Sequence, residues 1–234
     1  MTDALHHHAF PARSPDTGAA AQRADDLPHW NLADLYDGTE DPRIATDLAQ
    51  AGEAAKAFND AYKGRLADLS GDDLGKAVAE YEAIGETLGR IMSFAGLKFA
   101  ENMEDGASAR FQQSMQEKVT DISTLTLFFT LELNRIEDAR LDAQMAESES
   151  LSRYAPWLRD LRAFRPYQLS DELEQALHER HVTGSAAWNR LFEETLAGMR
   201  FPVDGENLTL SDALNRLSES DGEVRKKAAK AVGK

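Results

Sequence analysis

The sequence predicts a mainly α fold, an elongated multi-helix array interrupted once by a small β-hairpin near residues 199–210. Three observations carry this. After residue 27, apolar residues recur at intervals of three and four through successive segments, the spacing that lines one face of a helix. Those segments are punctuated by caps and breakers such as Asp41-Pro42, Asp105-Gly106 and Thr183-Gly184-Ser185. The period changes only around Asp204-Gly205, a dipeptide suited to a tight hairpin turn.

Residues 1–26 are rich in Ala, Asp, Pro and His and have no apolar period, so they read as a disordered tail. His6-His7-His8 is a short histidine tract, a weak metal binder when it sits on a loose chain end. Order begins at Leu27. Pro28 keeps Leu27–Leu32 out of a helix interior, while Trp30 and Tyr36 carry large surfaces that a folded chain buries. Asp41 then caps a helix with Pro42 in its first turn. Its stripe is Ile44, Leu48, Ala51, Ala55, Phe58 and Tyr62, and Gly64 ends it.

Ser70, with Asp73 three residues on, resembles a capping box. It opens a helix whose stripe is Val78, Tyr81, Leu88, Ile91, Met92, Ala95 and Phe99. Gly85, Gly89 and Gly96 lie inside that helix, each costing about 1 kcal/mol against alanine, and close approach of a neighbouring helix is the expected compensation. After Asp105-Gly106 one long helix is expected through Phe111, Met115, Val119 and Ile122 to Leu133, and another around Ile136 and Leu141. Leu151 to Phe164 reads as a short amphipathic helix in which Pro156 occupies the first turn or forces a split. Arg165-Pro166-Tyr167 is a break. Ser170 starts the next helix, Leu173 to Val182, and Ala186 to Ala197 is another, carrying Trp188, Leu191 and Phe192. Phe201-Pro202-Val203 and Leu208-Thr209-Leu210 flank the hairpin turn. Ser211 is expected to cap a helix with Leu214 and Leu217, and a last helix starts near Ser220 or Asp221.

Composition narrows the function. Apolar residues are 42% of the chain, sufficient for a core, and 41 acidic against 26 basic residues give a net charge of −15. That balance repels phosphate backbones, and the only basic cluster, Arg225-Lys226-Lys227 with Lys230, reads as a solvated helix face, so no nucleic-acid partner is expected. There is no cysteine, which excludes disulfides, thiolate zinc sites and cysteine nucleophiles and suits a reducing cytoplasm. No secretory signal is visible at the start. The longest apolar-looking run, Ile122 to Leu133, is twelve residues broken by Ser123, threonines and Glu132, against the roughly 20 that a membrane helix needs.

The search for chemistry returns one near miss. A helical zinc peptidase motif is His-Glu-x-x-His, with histidines four apart on one metal and the Glu as base. His178-Glu179-Arg180-His181 is one residue short, Glu179 points away from the shared face, and no third ligand is identifiable. The two histidines therefore read as polar residues on the exposed side of a helix whose apolar side is Leu173, Leu177 and Val182. Acidic pairs (Asp25-Asp26, Asp72-Asp73, Glu104-Asp105, Asp171-Glu172, Glu193-Glu194) fall at helix starts or on polar faces, where the helix dipole accounts for them. No Gly-x-Ser-x-Gly, phosphate loop or dinucleotide fingerprint is present.

Several stretches nevertheless resemble one family. Leu27-Pro28-His29-Trp30-Asn31-Leu32-Ala33-Asp34-Leu35-Tyr36 resembles the opening segment of oligoendopeptidase F-type metallopeptidases, relatives of thimet oligopeptidase. Asp47-Leu48 through Phe58, and Tyr62-Lys63-Gly64-Arg65-Leu66, are similar to the next segment of that family. So are Leu161 through Ser170 with Glu172 and Glu174, Thr183 through Phe192, and the final Asp221, Arg225 and Ala228 to later segments of it. The resemblance implies the N-terminal half of a zincin-like peptidase in which two halves flank a deep channel that admits short unfolded peptides. It implies zinc in the full-length protein, held by two histidines and a glutamate of a later half, and no zinc or other cofactor in this chain. It assigns no catalytic, cofactor-binding or metal-ligating residue here. Residues 27–198 would be the helical N-terminal domain and 199–234 the start of the peptidase domain. The expected partners are short peptides and the catalytic half, with a non-catalytic peptide-binding or scaffold protein as the alternative. A sequence that stops ahead of the zinc motif should also leave apolar surface uncovered.

Overall fold

The computed structural model describes residues 31–233. Helix α1 is Pro42–Tyr62. The Asp41 carboxylate accepts from the backbone N–H of Arg43 at 2.8 Å and of Asp37 at 2.9 Å. The Arg43 guanidinium, hydrogen-bonded to Asp41, is the main cause holding that carboxyl well below the usual aspartate range. Ile44, Ala51, Ala55, Phe58 and Tyr62 are buried as the period predicts. Gly64, at φ +77°, turns the chain where a side chain would be strained, and a short 3-10 turn, Leu66–Asp68, comes next.

Helix α2, Gly71–Glu101, is the longest element at 31 residues. The Ser70 hydroxyl accepts from the Asp73 N–H, the N-cap half of the capping box read from the sequence, and donates to the Asp73 carboxylate. The glycine expectation is corrected. Nothing lies within 4 Å of a Cβ built on Gly85, Gly89 or Gly96. The close approaches are at the start of the helix instead. A Cβ on Gly71 would stand 2.1 Å from the Gln144 carbonyl oxygen, and one on Gly75 would stand 2.6 Å from Ser150 Oγ. These two glycines let the later helices pass directly over α2.

The single helix expected from residue 106 to Leu133 is two helices, α3 Gly106–Thr124 and α4 Leu127–Arg135. Hydroxyls compete with the helical ladder where they meet. Ser123 and Thr124 donate back to the Thr120 carbonyl, and Thr126 to that of Ser123. Asn59 of α1 takes the Leu125 carbonyl at 2.6 Å. The turn aims α4 at α1, so that Phe129 meets Phe58 edge-on with ring centroids 5.0 Å apart. Ile136 caps α4 rather than starting a helix. Helix α5 is Asp138–Glu147, and Pro156 resolves the next segment by a split, α6 Glu149–Ser152 and α7 Ala155–Arg162.

Two apolar clusters result. The larger gathers Phe58, Leu74, Phe128, Phe129, Leu133, Leu151 and Leu158, with Tyr81 and Trp157 packed against it. The smaller joins Tyr36, Ile44, Ile91, Phe94 and Met115. Tyr36 is an anchor as predicted. Its hydroxyl donates to Asp47 at 2.7 Å, and burial first, then that carboxylate, push its pKa up to about 12. Trp30, the other predicted anchor, and the predicted tail, residues 1–26, lie outside the described residues.

After a 3-10 turn at Arg165–Tyr167 come α8 Asp171–Arg180 and α9 Ser185–Gly198. The hairpin is β1 Phe201–Val203 antiparallel to β2 Glu206–Leu208, with Phe201 opposite Leu208. Asp204 and Gly205, at φ 53° and 88°, form its turn, with the positive φ at both positions that a type I′ turn requires. Helix α10, Leu210–Asn215, is capped by Thr209, whose hydroxyl accepts from the Asp212 N–H, rather than by Ser211. Asp221 caps α11, Gly222–Val232, and Lys227 ties that helix to Asp204 of the hairpin turn at 2.6 Å.

Candidate functional site

The residues singled out for metal chemistry sit at the end of α8. His178 is half-buried and its Nε2 lies 2.8 Å from Ser123 Oγ of α3. The Ser123 hydroxyl also reaches the Thr120 carbonyl at 3.1 Å, and which partner donates in the His178–Ser123 contact depends on the imidazole tautomer; either way the contact ties α8 to α3. His181 is exposed and bonds Ser185 through Nδ1, while Glu179 accepts from Gln175. Each polar group of the near-motif faces a partner of its own. Among the described residues, no group of three or more His, Asp or Glu side chains is placed to hold a metal ion. Thr183-Gly184-Ser185 is a stop, but Gly184 is the cap position, with Ser185 already helical.

Several of the acidic side chains sit in helix first turns and caps or in ion pairs. Asp72 and Asp73 occupy the first turn of α2. Asp105 caps α3, while Glu104 receives Arg200 on both oxygens at 2.7 and 2.8 Å. Asp171 takes Arg135 of α4, and Glu194 pairs with Arg190. Asp25-Asp26 lies outside the described residues.

The orientation of α8 corrects the sequence reading, which places Leu173 and Leu177 in the core and the histidines outside. The two leucines are instead 55% and 57% exposed, while Glu174 and His178 face the protein. Polar contacts hold the helix in this pose. Besides His178 to Ser123, the Arg135 guanidinium grips the Asp171 carboxylate, and Gln168 donates to the Leu131 carbonyl. Helix α9 is turned the same way. Trp188 is 71% exposed and Phe192 64%, with Leu191 exposed between them, while the Arg190–Glu194 pair lies on the more covered side. Tyr167 and Phe164 continue the exposed apolar row ahead of α8. An amphipathic helix ordinarily buries its apolar stripe. Two successive helices that present it outward make a surface enriched in aromatic and leucine side chains, the composition of an interface centre. Among the described residues, this is the feature with the clearest functional signature.

The family model for Oligopeptidase F matches residues 132–201, the stretch that carries α8 and α9. The Oligopeptidase PepF of Bacillus subtilis (strain 168) is 30% identical over 215 residues, an alignment covering 88% of this chain and 31% of that protein. The crystal structure of oligoendopeptidase-F from Enterococcus faecium superposes with a TM-score of 0.65 at 18% identity, over 82% of this chain and 36% of that one. The chain thus spans about a third of the length of the proteins it matches. With sequence and fold in agreement, the chain is related to the oligoendopeptidase F family.

Proposed function

We propose that this chain forms the wall and lid section of a zinc-dependent metalloendopeptidase that hydrolyses short oligopeptides, the zinc and its ligands belonging to a catalytic section outside it. Residues 27–198 serve as the helical domain and residues 199–234 open the peptidase domain. The supporting observation is that similarity to a peptidase runs along most of this chain while occupying under a third of that relative. The cysteine-free composition suits work in the cytoplasm. Among the described residues no helix is long and apolar enough to cross a membrane.

The test is metal analysis combined with cleavage of a quenched fluorescent oligopeptide by this chain alone. Neither zinc nor cleavage is expected. Stoichiometric zinc with cleavage overturns the reading, and loss of both in His178→Ala with His181→Ala would locate the error. Saturable peptide binding without cleavage would favour the second reading, a non-catalytic peptide-binding protein, which the exposed row at Trp188, Leu191 and Phe192 supports.

A further inference from the structure

Helices α1 and α3 leave a groove of about 630 Å³ between them. Its apolar wall is Ile44 and Leu48 of α1 with Phe111 and Met115 of α3, of which Leu48 and Phe111 are only partly buried. Its basic side chains are Arg110 and Lys118 of α3 and Lys98 of α2. Arg110 and Lys118 are both exposed, and their positions lie roughly two turns, about 12 Å, apart along the helix.

The charges around this groove are unevenly committed. Lys98 pairs with Glu101 at 2.7 Å. The Asp41 carboxylate is occupied by the Arg43 guanidinium and by the Asp37 and Arg43 N–H groups. Asp105 lies within electrostatic reach of Arg110, but its oxygens take the Ala107 and Ser108 N–H groups and the Ser108 hydroxyl. Glu40, the other acid on the lining, is exposed. Among the described residues, neither Arg110 nor Lys118 has an ion-pair partner. Elsewhere in this chain of net charge −15, guanidiniums such as those of Arg43, Arg135, Arg162 and Arg200 each hold a carboxylate. A carboxylate brought to Arg110 and Lys118 therefore gains charge-assisted hydrogen bonds without displacing an existing partner.

We infer that the α1–α3 groove binds an acidic amphipathic peptide segment, its carboxylates on Arg110 and Lys118 and its apolar side chains against Leu48 and Phe111. The inference does not rest on the function proposed above. The separation of the two cations suits an extended ligand better than a small anion, and the apolar wall gives such a ligand surface to bury. Two cations are too few to hold a nucleic-acid backbone against the charge of the whole chain.

The experiment follows the fluorescence anisotropy of a short fluorescein-labelled peptide of Glu and Leu on the whole chain, beside counterparts with Lys for Glu and with Ser for Leu. The net charge of the protein favours the Lys peptide, so preference for the Glu peptide is diagnostic of the groove. Saturable binding of the Glu–Leu peptide is expected, weakened by salt and reduced about tenfold or more by Arg110→Glu with Lys118→Glu. Lys63→Glu with Arg180→Glu makes the same change in net charge outside the groove and should leave the affinity within about twofold. All four side chains are exposed, so helicity by circular dichroism should not change. Should the charge-reversed groove variant lose helicity, Arg110→Gln with Lys118→Gln replaces it, with about a threefold loss expected. Preference for the Lys peptide, absence of saturable binding, or equal losses in the two charge-reversed variants overturns the inference. It is also overturned if the Glu–Ser peptide binds as tightly, or if inorganic phosphate displaces the Glu–Leu peptide where sodium chloride of equal ionic strength does not, results that assign the groove to small anions.

Discussion

In residues 32–162 the apolar stripe of each long helix points inward. In residues 163–198 it points outward. The first region buries Phe58, Phe94, Phe129, Leu133, Leu151 and Leu158 to within a few per cent of full coverage, and Leu97 is its one large apolar residue with notable exposure among those described. From residue 163 onward, the buried apolar residues among those described are Val203, Ala213 and Ala228. The first region is held by dispersion and removal of apolar surface from water. Helix α8 is held on it by ion pairs and hydrogen bonds such as Arg135–Asp171 and His178–Ser123, and Arg200, just past α9, pairs with Glu104. The contrast teaches that helical periodicity identifies an apolar face without saying whether its partner lies inside this chain.

Mutations sharpen this comparison. The largest loss is expected for Phe129→Ala, which empties the centre of the aromatic cluster and should cost about 4 kcal/mol in denaturant unfolding. Gly71→Ala comes next. Its methyl would collide with the Gln144 backbone, and about 3 kcal/mol is expected from the displacement of α5 against α2. If either change proved neutral, the first region would not be the packed body described here.

Acid titration probes a polar contact at the edge of the first region. Arg162 donates to the Leu133 and Ile136 carbonyls and to Asp138, and the hydrogen bond from Arg162 is the largest cause holding the Asp138 carboxyl below its ordinary range. A depressed native pKa gives stability that is complete above the unfolded value, near 3.8, and lost as pH falls through the native value. Wild type should therefore melt above Asp138→Asn at pH 7. The gap should close once the pH drops below the native Asp138 value, and a gap independent of pH would exclude the mechanism.

A small gain is expected from Gly89→Ala, about 0.5–1 kcal/mol, because the position is helical and open. Smallest of all is Trp188→Ala in this chain alone, within about 0.5 kcal/mol. A loss comparable to Phe129→Ala would mean that α9 packs its apolar side inward and would remove the contrast between the regions.

Much of the fold was legible. The caps at Asp41 and Ser70, the break at Asp105-Gly106, a last helix starting near Ser220 or Asp221, the stripe of α1 and the Asp204-Gly205 turn are local matters of backbone and neighbouring side chain, and all stand where the sequence indicates. The break between α3 and α4 is legible only in part: Ser123, Thr124 and Thr126 mark it locally, but capture of the Leu125 carbonyl by Asn59 comes from 66 residues away in sequence. The crowded glycines escape a sequence reading for a similar reason. Gly85 and Gly89 carry a familiar spacing, but only the crossing of α5 and α6 over α2 decides which glycine has no room for a methyl. At the candidate site, Leu173, Leu177, Trp188 and Phe192 are visible as stripes. Their outward direction is not, since a stripe looks alike whether its partner is this chain or another.

By itself, then, the sequence determined the helical class, the positions of most caps and the hairpin, the absence of thiol chemistry and the kinship with oligoendopeptidase F, because each depends on residue type and local spacing. The tertiary structure decided which glycines are crowded, where the long helix breaks, that His178 tethers α8 to Ser123 of α3, and that α8 and α9 face outward. Those outcomes depend on contacts between residues far apart in the chain, where many pairings satisfy the same local pattern and only packing of the whole selects one.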